Sequence, residues 1–295
     1  MSIIMREDAP AQLTQPRVRP LTRRWAVPTP APTSQSDQQR MIVAPDAANV
    51  SDPFFILAED WFSTVGFDWH PHRGFETVTY VIDGELEHKD STGGHEVLRA
   101  GDLQWTTMGR AVLHAELAYE RRGVHTLQLW LNSPAALKMG PPSYQNLPAA
   151  AMPTIAGEGV TARLFSGASH GLTGPARTIW PTTVLDATFA PGGRFTHAIL
   201  GEHAAFIYVI SGSLTVGDEA TPLRAGAVAW FDAGEAGATA VELVADEATR
   251  IIAYSSAPIR ELVFAYGPFL MNTREEIIQA FEDYQRGDFG PIPTW

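Results

Sequence analysis

The 295-residue chain contains no cysteine. That absence excludes disulfides, thiolate metal sites and cysteine nucleophiles together, so any metal held here is held by nitrogen and oxygen. Positive charge is also scarce: 21 Lys and Arg against 33 Asp and Glu give a formal net charge of −12. An acidic surface repels phosphate backbones, which argues against direct nucleic-acid binding. The opening MSIIMREDAP never builds the continuous apolar run that a secretory signal or a membrane span requires. A cytoplasmic protein without membrane contact is therefore expected. Helical periodicity is nearly lacking until the C-terminal end.

What the chain does have is a sequence 45% hydrophobic and 18% charged, ordinary for a soluble protein and long enough for two domains. From about residue 54, short runs rich in Val, Ile, Thr, Tyr, Phe and Trp are punctuated by Gly and Pro, the pattern of antiparallel strands in a sandwich or barrel. Thr77 to Ile82, Asp102 to Thr106 and Val124 to Leu131 are examples. Before them, residues 1–40 carry Pro10, Pro16, Pro20, Pro28, Pro30 and Pro32, with Arg17, Arg19, Arg23 and Arg24 between. Such a segment builds no core of its own; an extended arm along the body is expected, with a basic docking tail as the alternative.

An internal repeat sets the domain count. TYVIDGEL at 79–86 matches IYVISGSL at 207–214 with an offset of 128, and LRAG at 98–101 recurs at 223–226 with an offset of 125, which Trp105 and Trp230 keep. Two copies of one β-barrel unit follow, 41–150 and 151–295, with a Pro- and Ala-rich linker near 133–157. The last element differs. Thr273 with Glu276 forms a capping-box pattern, Gly287 can end the helix, and Ile277, Ile278, Phe281 and Tyr284 form one face, expected to pack on a barrel.

The first copy contains His70-Pro71-His72 and, later, His114 and Glu116. On a strand, residues i and i+2 point to the same side, so each pair faces one interior. Three imidazoles and a carboxylate on two inward-facing edges make a binding set for a divalent transition metal. Shifted by the repeat offsets, the four positions land on Ala198, Leu200, Thr239 and Val241, none of them a matching ligand. His197 and Glu242 lie one residue out of phase, which on a strand turns them to the other face. The second barrel is expected to hold no metal. His88, His95 and His125 read as surface or satisfied polar residues, and Trp61, Trp69, Trp105 and Trp130 as barrel core.

HPHRGFETVTYVIDGELEHKDSTGG at 70–94, GDLQWTTMGRAVLHAE at 101–116 and PFLMNTREEIIQAFEDYQRGDFG at 268–290 together resemble the pirin family of the cupin superfamily. The resemblance implies an all-β bicupin: two tandem antiparallel jelly-roll barrels with a C-terminal helix, the N-terminal barrel holding one divalent metal and the C-terminal one none. By that resemblance the ligands are His70, His72, His114 and Glu116, and the metal is iron(II), with manganese, nickel, cobalt, copper or zinc as substitutes. Ordinary cupins take their glutamate from the first motif, where Glu76 is the nearby candidate. Thr77, however, holds the usual spacing from Gly84, so Glu116 is preferred and Glu76 is read as a partner to a ligand histidine.

The resemblance further implies quercetin 2,3-dioxygenase activity, with a flavonol hydroxyl at the metal and Glu116 or Glu76 accepting its proton. Phe67, Phe75, Glu76 and Met108 are the candidate pocket residues. Where pirins usually show A-G-R-G, this chain has Met108-Gly109-Arg110-Ala111, which reshapes the pocket beside the metal. The alternative is an iron-dependent redox-sensing regulator without turnover, which leaves room for a protein partner.

Overall fold

The computed structural model describes residues 16–45, 48–217 and 222–294. In the first copy, β1 (Gln38–Val43), β2 (Phe54–Phe62), β3 (Gly66–His72), β4 (Phe75–Asp83), β5 (Glu85–Asp90), β6 (His95–Arg99), β7 (Leu103–Thr107), β8 (Val112–Ala118), β9 (Val124–Asn132) and β10 (Ser143–Leu147) form two facing sheets. A six-stranded sheet runs β10-β7-β4-β9-β2-β1, and a four-stranded sheet runs β3-β8-β5-β6. The stretch read as a linker thus contributes β10, an edge strand paired with β7.

The second copy repeats the plan. Val160–Ser166, Thr182–Phe189, Thr249–Ser256, Ala204–Ser211 and Ala227–Phe231 follow one another in a seven-stranded sheet, while Arg194–Leu200, Ala238–Ala245 and Ser213–Val216 neighbour one another in a five-stranded one. The Pro- and Arg-rich arm is used intramolecularly. Arg23–Ala26 pairs with Ala227–Phe231, and Arg17–Val18 pairs with Ala238–Ala245. Arg19 is buried and donates to the carbonyls of Gly201 and His203. Residues 1–15 of the arm lie outside the described residues.

Strand alternation decides what each sheet buries. On β4, Val78, Tyr80 and Ile82 face the second barrel, as do Leu127, Leu129 and Leu131 on β9; they pack with Phe206, Tyr208, Trp230 and Tyr254 in a core between the two large sheets. Each such side chain taken fully out of water contributes about 1.5–3 kcal/mol. The repeat also closes that interface reciprocally. Tyr80 donates to Asp186, which Arg163 grips at 3.0 and 2.5 Å, while Tyr208 donates to Glu59, which Arg40 grips at 2.5 Å.

The C-terminal helix, α1 (Arg274–Arg286), has both halves of its capping box, and Gly287 ends it in the left-handed conformation with φ 84. Ile277 and Ala280 are its buried face, with Phe281 beside them; Ile278 and Tyr284, expected on that face, are exposed because the helix turns only a narrow stripe inward. Although it follows the second copy, the helix packs against Leu113, Ala111 and Trp69 of the first. Phe269–Met271 leads into it and passes so close to Gly74 that a Cβ there would lie 2.2 Å from the Leu270 carbonyl oxygen. No helix among the described residues is long and apolar enough to cross a membrane.

Candidate metal centre

Three adjacent strands, β3, β8 and β5, bring the chemistry of the first barrel together. In register, His70 and Asp90 flank His114 from either side, and Phe67 and His88 flank Glu116. Pro71 is tolerated because β3 is the edge of its sheet. Donor atoms of His70, His72 and His114 lie within 4.8 Å of one another.

Two of these rings are already oriented. His70 Nδ1 faces the Asp68 carbonyl at 2.7 Å and His72 Nδ1 the Pro268 carbonyl at 3.0 Å, so each Nδ1 donates and each Nε2 is left free. Trp130 and Phe75 stand edge-on to His72, at 4.9 and 5.1 Å between ring centres. His114 is fully buried with neither ring nitrogen partnered. Burial pushes the pKa of His70 down and those of His72 and His114 well below the ordinary 6.5, and the neighbouring imidazoles push the last two further. Neutral imidazoles are what a metal requires. A buried nitrogen left unpaired costs about 1–3 kcal/mol, a cost that coordination to a divalent cation would remove. The donor set fits such an ion.

Glu116 stands somewhat apart from this triad. The β3–β8 register shifts between His114 and Glu116, and the carboxylate groups instead with His114 and His88, whose donor atoms also lie within 4.8 Å of one another. Thr79 donates to Glu116 at 3.1 Å and Gln128 donates to its other oxygen. A cavity of about 10 Å3 adjoins it, lined by Asp60, Phe62, Phe67, Thr79, Thr126 and Gln128 among others.

Several expectations require correction. Glu76 is no partner to a ligand histidine: it lies on the opposite face of β4 from Thr79, and its carboxylate accepts from Trp105 and Thr107, both at 2.8 Å. Burial raises its pKa to about 7. Of the other pocket candidates, Phe67 lines the cavity and packs against Phe62, whereas Phe75 and Met108 are buried in an apolar cluster with Val112 and Leu270. Of Trp61, Trp69, Trp105 and Trp130, Trp105 alone lies in the inter-barrel core; Trp61 stacks on His125, Trp69 meets the C-terminal helix and Trp130 stacks on Phe75. His125 Nε2 is hydrogen-bonded to the Glu59 carboxylate at 2.7 Å.

His88, read as a surface or satisfied residue, is fully buried beside the site. The alternating His88 and Asp90 on β5, the same i, i+2 pattern as the other pairs, was the signal that could have found it.

His197 also differs from expectation. It faces into the second barrel, buried between Phe195 and Ile199, and burial lowers its pKa to about 4. The turn after its strand holds three residues, 201–203, where the first copy has two, 73–74, and that extra residue reverses the facing the repeat offset implies. Cross-strand pairing sets His197 opposite Val241 as His70 is opposite His114. Only one of the four candidate ligand types is therefore retained, with Ile199, Val241 and Leu243 in the other places. Glu242 is exposed and accepts from Thr196 at 2.5 Å.

The family model for pirin matches residues 37–131, and that for the pirin C-terminal cupin domain matches residues 184–290. Human pirin is 36% identical over 261 residues, 87% of this chain and 90% of that protein. The crystal structure of quercetin 2,3-dioxygenase from Acinetobacter baumannii is similar with a TM-score of 0.84 at 30% identity, over 94% of this chain and 100% of that one. A bacterial pirin from Escherichia coli, solved in complex with nickel(II), shares the fold with a TM-score of 0.63 at 19% identity, over 78% of this chain and 95% of its own. With both cupin halves matched in order and a relative aligned over most of its length, the chain belongs to the pirin family.

Proposed function

We propose that this chain is a metal-dependent dioxygenase acting on flavonols, of the quercetin 2,3-dioxygenase type, with His70, His72, His114 and Glu116 holding one divalent metal, iron(II) by preference. The observation that carries this reading is the convergence of three imidazoles of lowered pKa, His72 and His114 buried and His70 half-buried, beside a carboxylate held by Thr79 and Gln128. When bound, such a metal supplies Lewis acidity towards a phenolic hydroxyl and redox chemistry towards dioxygen.

The chain's own residues do the rest. The Asp68 and Pro268 carbonyls fix the tautomers of His70 and His72. Glu116 accepts the hydroxyl proton, and the donors from Thr79 and Gln128 keep its carboxylate aimed. Phe62 and Phe67 form the apolar wall against which an aromatic ring is placed. The purified chain loaded with iron, manganese, nickel or cobalt is expected to consume quercetin and oxygen, and His70→Ala to abolish this. Absence of turnover with every metal would sink the enzymatic reading.

One observation favours a second reading. The cavity of about 10 Å3 beside Glu116 has room for a single water at most, so a flavonol finds no preformed space there. An iron-dependent redox sensor needs no such space. Under that reading, protein partners captured by the iron-loaded chain differ between iron(II) and iron(III), and quercetin is untouched.

A further inference from the structure

His88 is not accounted for by the four-ligand centre. It is fully buried, as are His114 and Glu116, whereas His70 at the barrel mouth is half-buried. Its Nε2 lies 3.1 Å from Asp90, leaving Nδ1 without a partner. Asp90 is itself fixed by the Thr92 hydroxyl at 2.6 Å and the Gly94 amide at 3.1 Å. A carboxylate gripping one nitrogen of an imidazole whose other nitrogen is free is the arrangement that orients metal-binding histidines.

The second copy supplies the control. His88 pairs with Glu116 across β5 and β8, and the corresponding pair is Val216 and Leu243. Thr79 and Gln128 pair across β4 and β9, and the corresponding pair is Ile207 and Ala253. His88 is thus replaced by an aliphatic residue together with Glu116 and both groups that hold it. A histidine serving only to fill space would have no reason to change with that set.

Resting on the reading of this centre as a metal site, we propose that the first barrel offers a divalent cation a second, inner seat made by His88, His114 and Glu116. The inner seat shares His114 with the outer triad of His70, His72 and His114, so the two hold one ion between them. The register shift between His114 and Glu116 is the structural reason for two seats: it turns the carboxylate from His70 towards His88. An ion in the inner seat is sealed among buried side chains, and an ion in the outer seat lies beside half-buried His70, where a substrate can reach it.

The test is cobalt(II) titration of the full chain, read by metal content and by visible d–d absorption. Wild type binds one equivalent. His70→Ala with His72→Ala removes the outer seat and is expected to keep one equivalent, bound more weakly and with an altered absorption band. Adding His88→Ala is expected to abolish that binding. His70→Gln with His72→Gln preserves more of the side-chain volume and provides the same test should the alanine pair not fold. The inner seat is overturned if the double variants bind no cobalt while wild type does, or if adding His88→Ala leaves their binding unchanged. Failure of wild type itself to bind cobalt would instead remove the metal reading of the whole centre.

Discussion

The two barrels share one strand plan and fill it in opposite ways. Between its sheets the second copy packs Leu164, Leu185, Ile207, Leu214, Val216, Val241 and Leu243 into a continuous apolar core. At corresponding depth the first copy holds His72, His88, His114 and Glu116, with half-buried His70 beside them, and only a small apolar cluster of Phe62, Val81, Leu86, Leu98, Ala118 and Val124 remains on that side. An interior of imidazoles with unpartnered nitrogens is a poor way to stabilise a sandwich. Its presence in one copy beside an aliphatic version in the other leaves the first barrel with a donor set that can hold a metal and the second with an apolar core at the same places.

Transplanting one polar group into the stable copy should give the largest effect. Leu243→Glu sets a carboxylate where Glu116 stands in the first copy, but its neighbours there are Ile207 and Ala253 instead of Thr79 and Gln128. With no donor to hold it, the charge should cost about 3–5 kcal/mol, measured by denaturant unfolding. The reverse exchange, His114→Leu, should raise the stability of the metal-free chain by roughly 1–3 kcal/mol, because it removes two unpartnered buried nitrogens, while eliminating metal binding. An unchanged or lower melting temperature would show that the nitrogens carry no such cost.

Gln128→Ala tests the shell around Glu116, and the expected loss is about 10–100-fold in metal affinity with little change in fold. The pH dependence is subtler. Burial keeps His72 and His114 neutral well below 6.5 in the folded chain, whereas the unfolded chain takes up those protons near 6.5. The stability of the metal-free protein is therefore lost as pH falls below that value, at most about 1.4 kcal/mol per pH unit for each imidazole. Metal retention, by the same shift, should persist to lower pH than ordinary histidines allow. His114→Leu should reduce the slope of stability against pH by one imidazole, readable from melting curves between pH 7 and 5.

How much of this could be read in advance depended on whether the signal was local. The i, i+2 pairs of His70 with His72 and His114 with Glu116 lie on single strands, and the capping box of Thr273 with Glu276 lies within one helical turn, so alternation and spacing were sufficient. For His88 the alternation with Asp90 marks a polar face of β5, but that this face meets Glu116 depends on β5 lying beside β8, a pairing between distant segments that no spacing reports. Glu76 was misassigned because proximity in sequence to the histidines says nothing about which face of β4 it occupies. His197 was misread because the turn that follows its strand is one residue longer than in the first copy, so an offset taken from the next strand gives the wrong facing for the strand before the turn. The docking of the C-terminal helix on the first barrel, through Arg73 to Asp283 at 2.6 Å and the packing around Leu113, is likewise set by tertiary contacts alone.

The central claim is that one copy holds the metal and the other does not. Metal content per chain, measured after iron(II) loading of wild type, His114→Ala and His197→Ala, tests it most directly. The account predicts one equivalent in wild type, none in His114→Ala and one in His197→Ala. Iron retained in full by His114→Ala, or lost from His197→Ala, would contradict it.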